Sequence, residues 1–381
     1  MGSALTTKRK SNAKFMFLSA IGIVMVVDSH CWSPLNLFGS FLPYNSFFMP
    51  MFIFISGYFN KVDENTDLKK YIVKKVKTLL VPFAAIVFTA YWLEWLMDWY
   101  KRGEVTIITF ADTLDRIKRI FTDGVPVTIS YAMWFIPSLF VLLVLYALVK
   151  KVFAKKWNTL IMFLVFTLGN IAIVWIAKNT TVFEYTLLIY KVVFFLPFLE
   201  FGALYRERIE PKLAGLSKGG NVILLAALLL INLVRMMILP QPYDVAFNDI
   251  ATLTGFTSPF VVTPMISSLI GIMFWVTVAD MIGPALAENK VVNFVSENTI
   301  WVMGFHMVFF NLLNCVLLTI NDNIVTLPEF YPDMFKTMLG YRWEHYAIFR
   351  IVYFAVGITG PLLMKLVFDK IKSSLENKKA A

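Results

Sequence analysis

Charge is scarce in this sequence. Of its 381 residues, 16% are Asp, Glu, Lys or Arg, whereas a water-soluble globular chain carries roughly 25%, so an ordinary cytosolic enzyme is excluded. Cysteine is nearly absent: Cys31 and Cys315 are the two in the chain, far apart and beside apolar runs, which excludes a disulfide framework or a metal-ligand spacing. There is no internal repeat, no Gly/Ser-rich linker and no soluble module of appreciable size, so one membrane domain is expected. Lys8, Arg9, Lys10 and Lys14 precede the first apolar run and no small-residue cleavage pattern follows it, so it reads as a retained helix, not a signal peptide.

What is abundant is apolar. Hydrophobic residues make up 58% of the chain, with 36 Phe, 18 Met and 10 Trp, and the mean hydropathy is +0.69. A spanning helix needs roughly 20 predominantly apolar residues. Ten such runs lie near 15–33, 42–59, 79–97, 132–152, 158–177, 186–205, 221–239, 260–282, 299–320 and 347–368. The expected fold is therefore all-α and polytopic, with about ten transmembrane helices: a short segment 1–14, one membrane domain 15–368 and a tail 369–381.

The formal charge of +10 falls in short segments between the apolar runs, which excludes a nucleic-acid stripe and reads as topology. The basic segments are Lys8 to Lys10, Lys69 to Lys77, Lys150 to Lys156, Arg206 to Lys218 and Lys370 to Lys379; 34–45 and 240–258 hold neither Lys nor Arg. The positive-inside rule then puts both termini in the cytoplasm, and a multi-pass protein of the cell (plasma) membrane is expected. The loop 98–131 breaks the pattern, since Lys101, Arg102, Arg116, Lys118 and Arg119 share it with Glu104, Asp112, Asp115 and Asp123; it reads as an amphipathic element on the outer surface.

An ionisable group inside a membrane costs roughly 2.5–3.5 kcal/mol on insertion scales, so each is a candidate for function. Asp28, His30, Glu94, Glu200, Arg235, Asp280 and His306 fall within the runs. A neutral imidazole can take a proton from a hydroxyl and return it to a leaving group, so His30 is either a general base or a histidine satisfied at the interface. Asp28 points about 200° away from it on an ideal helix and is expected to pair with another helix. His306 is a packing histidine or one that orients a substrate. Arg235 is expected to snorkel, and Ser56, Gly57 and Tyr58 to pack closely rather than form a nucleophile motif.

Two segments in order, Ala20 to His30 (AIGIVMVVDSH) and Phe48 to Phe59 (FMPMFIFISGYF), resemble the opening of the membrane-bound acyltransferase-3 family, which includes sugar and cell-envelope O-acetyltransferases. The resemblance continues through Lys69 to Pro82 (KKYIVKKVKTLLVP), Met133 to Phe140 (MWFIPSLF), Phe194 to Gly202 (FFLPFLEFG) and Glu297 to His306 (ENTIWVMGFH). It implies transfer of an acetyl or other acyl group from cytoplasmic acetyl-CoA, a donor substrate and not a resident cofactor, to a hydroxyl of a carbohydrate or envelope acceptor. His30 matches the family's catalytic histidine. Lys74 and Lys77, with Lys75 beside them, fit the family's basic-x-x-basic spacing for coenzyme A phosphates, although the positive-inside rule or contact with membrane lipid head groups accounts for the same cluster. Asp28, His306, Trp134, Tyr58 and Glu200 complete the candidates. Trp134 and Tyr58 are either packing aromatics or platforms for a sugar ring or adenine. Where family members commonly carry Arg or Lys eleven residues before the histidine, this chain has Ser19, with Lys14 five residues further back. The alternative to an enzyme is a proton-coupled transporter or polysaccharide exporter, in which intramembrane His, Asp and Glu serve as proton relays.

Overall fold

The computed structural model describes residues 2–39, 41–103, 109–122, 128–153, 155–238, 260–338 and 340–380, and among them every regular element is a helix. Lipid cannot hydrogen-bond to the backbone, and a helix satisfies its own N–H and C=O groups. In chain order the elements are α1 (Gly2–Ser29), α2 (Phe48–Phe59), α3 (Leu68–Lys101), α4 (Phe110–Thr122), α5 (Ile129–Phe153), α6 (Thr159–Asn179), α7 (Leu187–Leu213), α8 (Lys218–Ile238), α9 (Thr263–Leu286), α10 (Lys290–Glu297), α11 (Thr299–Asn323), α12 (Pro332–Thr337) and α13 (Ala347–Ala380). Eight of them, α3, α5 to α9, α11 and α13, are long and apolar enough to cross a bilayer. α1 carries the first expected run.

The second expected run, 42–59, does not cross by itself. Only α2 is helical there, and its 12 residues reach about 18 Å, well short of a hydrocarbon core of roughly 30 Å. The reason lies just before it: Pro43 starts a tight turn at Tyr44–Ser46, and the hydroxyl of Tyr44 bonds to Asp28. α2 instead wedges into the bundle against α7, where two glycines allow backbone contact. A Cβ on Gly57 would overlap the carbonyl of Leu199, and one on Gly202 would overlap the backbone of Phe54 and Tyr58.

Buried polar contacts gather the basic residues at one end of the bundle. Lys14 Nζ lies 2.6 Å from Glu210 and 2.9 Å from Asp280, and Tyr58 donates to the same Glu210 at 2.6 Å. Arg206 bonds to the carbonyl of Tyr58, and Tyr71 to Asn60 at 3.2 Å. The opposite end holds Asp28 and the segment that follows α1, tied down where Ser268 donates to Ser46 O at 2.7 Å and Asn232 donates to Phe41 O.

The awkward loop resolves into α4, whose Leu114 and Ile117 are exposed; Arg116 reaches back to Glu94 at 3.1 Å and lies 4.8 Å above the Tyr91 ring. Glu104, Asp123 and the segment 240–258 lie outside the described residues. Arg235 does not snorkel: it is 4% exposed and its Nε donates to Asn232 at 2.9 Å, one turn away.

Candidate active site

His30 stands where α1 ends. In a continuing helix its backbone N–H would bond to Val26 O, but the last turn tightens and that N–H goes to Val27 O at 3.1 Å, leaving Val26 O among the orphan carbonyls of a helix terminus. Two side chains take it up, Ser29 Oγ at 2.7 Å and His30 Nδ1 at 2.8 Å. A carbonyl only accepts, so Nδ1 carries the proton and, in the neutral ring, Nε2 keeps its lone pair. The other face of the pairing comes from α11. His306 is fully buried, its Nδ1 donates to Val302 O at 2.9 Å by the same helical spacing, and its Nε2 lies 3.3 Å from His30 Nδ1.

His30 lines a cavity of about 240 Å³ at the end of the bundle away from the basic residues, walled also by Ser29, Asn45, Tyr131, Trp134 and Met303. That is below the roughly 300–1,000 Å³ of a pocket for a whole drug-sized ligand and suits reacting groups only. Trp134 is the aromatic candidate that the fold brings to His30. Its ring is packed on Phe195 in a near-parallel stack at 6.3 Å and on the ammonium of Lys191 at 4.3 Å, both from α7. Lys191 is fully buried and sequence reasoning passed over it, although a lysine within the run 186–205 is itself a signal. Arg342 was also missed, and no local signal marked it, since it falls in the connection before α13. The connection folds inward, so that Arg342 is 6% exposed, lies 4.4 Å above the Phe310 ring and donates to Met307 Sδ at 3.1 Å.

Three candidates stand apart from both the cavity and the histidine pair. Asp28 pairs with the helical turn at Tyr44–Ser46 through the Tyr44 hydroxyl, and its oxygens also accept from the backbone N–H groups of Leu35 (3.0 Å) and Asn36 (3.3 Å), which folds the segment after α1 back over the helix end. Tyr58 belongs to the Lys14–Glu210 cluster at the basic end. Glu200 is fully buried and paired with Lys150 at 2.8 Å, an attraction that offsets part of the cost of taking each charge out of water. Lys14, the basic residue nearest the position of Ser19, is likewise engaged by two carboxylates.

The lysines divide by face. Lys74 and Lys77, three residues apart and so about 60° apart around a helix, line an open groove of about 590 Å³ together with Asp67, Lys69, Lys70 and Thr78. A π-helical turn at Val76–Leu80 carries Lys77. Lys75 turns the other way, onto the Tyr71 ring at 5.2 Å, and is not part of the groove. From Lys14 to His30 is 16 residues of α1, roughly 24 Å at 1.5 Å per residue, so the groove's end and the histidine cavity are separated by most of a bilayer.

A polytopic helical bundle with a histidine-lined cavity at one end defines an integral membrane protein whose candidate site is held between its helices. The family model for an acyltransferase domain matches residues 17–366, almost the whole bundle, from the first turns of the α1 span to α13. The chain belongs to the acyltransferase-3 family and is a multi-pass membrane acyltransferase. No curated protein and no solved structure matches it.

Proposed function

We propose that this acyltransferase moves an acetyl group from acetyl-CoA to a hydroxyl of a glycan or other cell-envelope acceptor, with His30 as general base. The observation that carries this reading is the tautomer of His30: with Nδ1–H committed to Val26 O, Nε2 is the acceptor nitrogen of a ring that lines the cavity. Nε2 takes the proton of the acceptor hydroxyl as the oxygen attacks the thioester carbonyl. The tetrahedral intermediate then collapses, the C–S bond breaks, and the departing coenzyme A sulfur takes the proton back from His30.

The donor's phosphates are assigned to the groove of Lys74 and Lys77, several ammonium groups around an open concavity being suited to a polyanion. That groove and both termini belong in the cytoplasm of a plasma-membrane protein by the positive-inside rule, so either the acyl-bearing arm of the donor or the acceptor travels through the bundle.

The test is coenzyme A binding and acetyl-CoA turnover by purified protein in nanodiscs, with a panel of sugar acceptors. His30→Gln is expected to keep coenzyme A binding and lose turnover by about 10²- to 10⁴-fold, the usual contribution of a general base. A wild-type protein that binds no coenzyme A would overturn the reading and favour a proton-coupled transporter or exporter.

A further inference from the structure

We infer that His306 is the positioning residue of His30: the two rings form an imidazole pair in which His306 Nε2 accepts from His30 Nδ1–H and holds the Nε2 of His30 ready for the acceptor hydroxyl. This rests on the reading of His30 as the base. It assigns His306 to the base itself and not to a substrate.

The tautomers of the two rings are fixed independently and agree. Val302 O takes the Nδ1–H of His306 at 2.9 Å, which leaves Nε2 of that ring as an acceptor. Val26 O takes the Nδ1–H of His30 at 2.8 Å, and the same nitrogen lies 3.3 Å from His306 Nε2, which with its lone pair can act as a second acceptor. The ring centroids are 5.0 Å apart at a tilt of 42°. A three-centre hydrogen bond of this kind needs one donor and two acceptors, and both acceptors are present.

His30 needs the second contact. It lies beyond the last turn of α1, and Val26 O is shared with Ser29 Oγ, so that carbonyl holds the ring at one point and a second acceptor fixes its plane. His306 is the rigid member. It sits within the 25-residue α11, fully buried, with Phe310 edge-on to its ring at 5.7 Å and the Arg342 guanidinium on the next face of Phe310. When His30 Nε2 gains the proton of the hydroxyl, the ring becomes an imidazolium and its Nδ1–H becomes a charge-assisted donor. The bond to His306 Nε2 is then stronger in the transition state than before it, the condition for raising the rate and not merely substrate affinity. No bond to hydrogen is broken between the rings, and the proton on Nε2 returns to the leaving sulfur.

The chain has three histidines, so ¹⁵N-histidine labelling in a His345→Gln background reports on His30 and His306 alone. In nanodiscs near neutral pH the wild-type spectrum is expected to show both rings neutral and protonated on Nδ1. His306→Phe keeps an aromatic ring and removes the acceptor: the Nδ1–H resonance of His30, left with Val26 O as its acceptor, should shift, and kcat should fall about ten- to a hundredfold, the worth of one hydrogen bond to a charged group, with KM for acetyl-CoA unchanged. His306→Gln, whose amide oxygen can accept, should restore most of kcat and guards against a folding defect in the phenylalanine variant. A His30 protonated on Nε2 in the wild type, or a His306→Phe protein with unaltered His30 resonances and unaltered kcat, would overturn the pairing. If instead His30→Gln retains full turnover, the general-base reading fails while the spectrum still reports whether the rings are paired.

Discussion

The groove at the basic end makes the sharpest quantitative forecast. Lys74 and Lys77 are exposed along it, while Lys75 packs on Tyr71. An exposed ammonium about 4 Å from a phosphate charge gains roughly 1 kcal/mol in water, so losing both lysines removes about 2 kcal/mol, or close to a thirtyfold weakening of coenzyme A binding at roughly 1.4 kcal/mol per tenfold. The interaction is also screened, since the Debye length falls from about 10 Å at 0.1 M to about 3 Å at 1 M salt. Calorimetric titration of coenzyme A into protein in zwitterionic nanodiscs should therefore show Lys74→Ala/Lys77→Ala about thirtyfold weaker at low salt, a gap that narrows sharply by 1 M, and Lys75→Ala close to wild type. Zwitterionic lipid matters, because anionic head groups would compete for the same charges. Equal losses from all three lysines, or a salt-independent loss, would refute the division of faces.

Further forecasts concern the scaffold. Lys150→Met leaves the fully buried Glu200 carboxylate without its cation and should cost up to about 3–5 kcal/mol by thermal melt, whereas Lys150→Met/Glu200→Leu should recover most of it. Gly202→Ala drives a methyl into the backbone of α2 and should destabilise by about 1–3 kcal/mol, while Gly215→Ala, which meets nothing, should be neutral. Asp67 caps α3 by accepting from the N–H of Lys70 at 3.1 Å, and that bond holds its carboxyl below the usual range. A depressed folded value means the cap stabilises above the carboxylate's unfolded titration, about pH 4, and is lost as pH falls through the folded one. Hydrogen exchange of the first turn of α3 should accordingly quicken in Asp67→Ala at neutral pH and differ less from wild type in acid.

How much of this could be read from the chain follows from the range of each force. Hydropathy is a local property, so the runs that became α3, α5 to α9, α11 and α13 were legible, as were the basic segments that gather at one end. The motifs from Ala20 to His306 were enough to see the family, because the residues that build its bundle recur in order along the chain. The run 42–59 misled because hydropathy does not distinguish a helix that crosses lipid from one buried against α7; two glycines and the tie between Tyr44 and Asp28 made that difference. For Asp28 the sequence suggested a partner on another helix, and where α1 stops and the chain doubles back its partners are Tyr44 and the backbone of Leu35 and Asn36.

What only tertiary structure decided is which separated residues meet. His30 and His306 are 276 residues apart, and nothing periodic links them; the packing of α1 against α11 sets their rings in contact. Arg342 carried no signal at all, because a charge in a connecting segment is expected to stay in water until the connection is seen to fold inward. The sequence by itself determined that this chain lives in lipid, several of the residues that must find partners there, and the order of the helices that carry them. The partners were chosen by the packing, since a charge or an imidazole buried in a dry bundle needs an opposite charge, an aromatic face or a hydrogen-bonding group, and that group comes from whichever part of the chain the whole fold brings alongside.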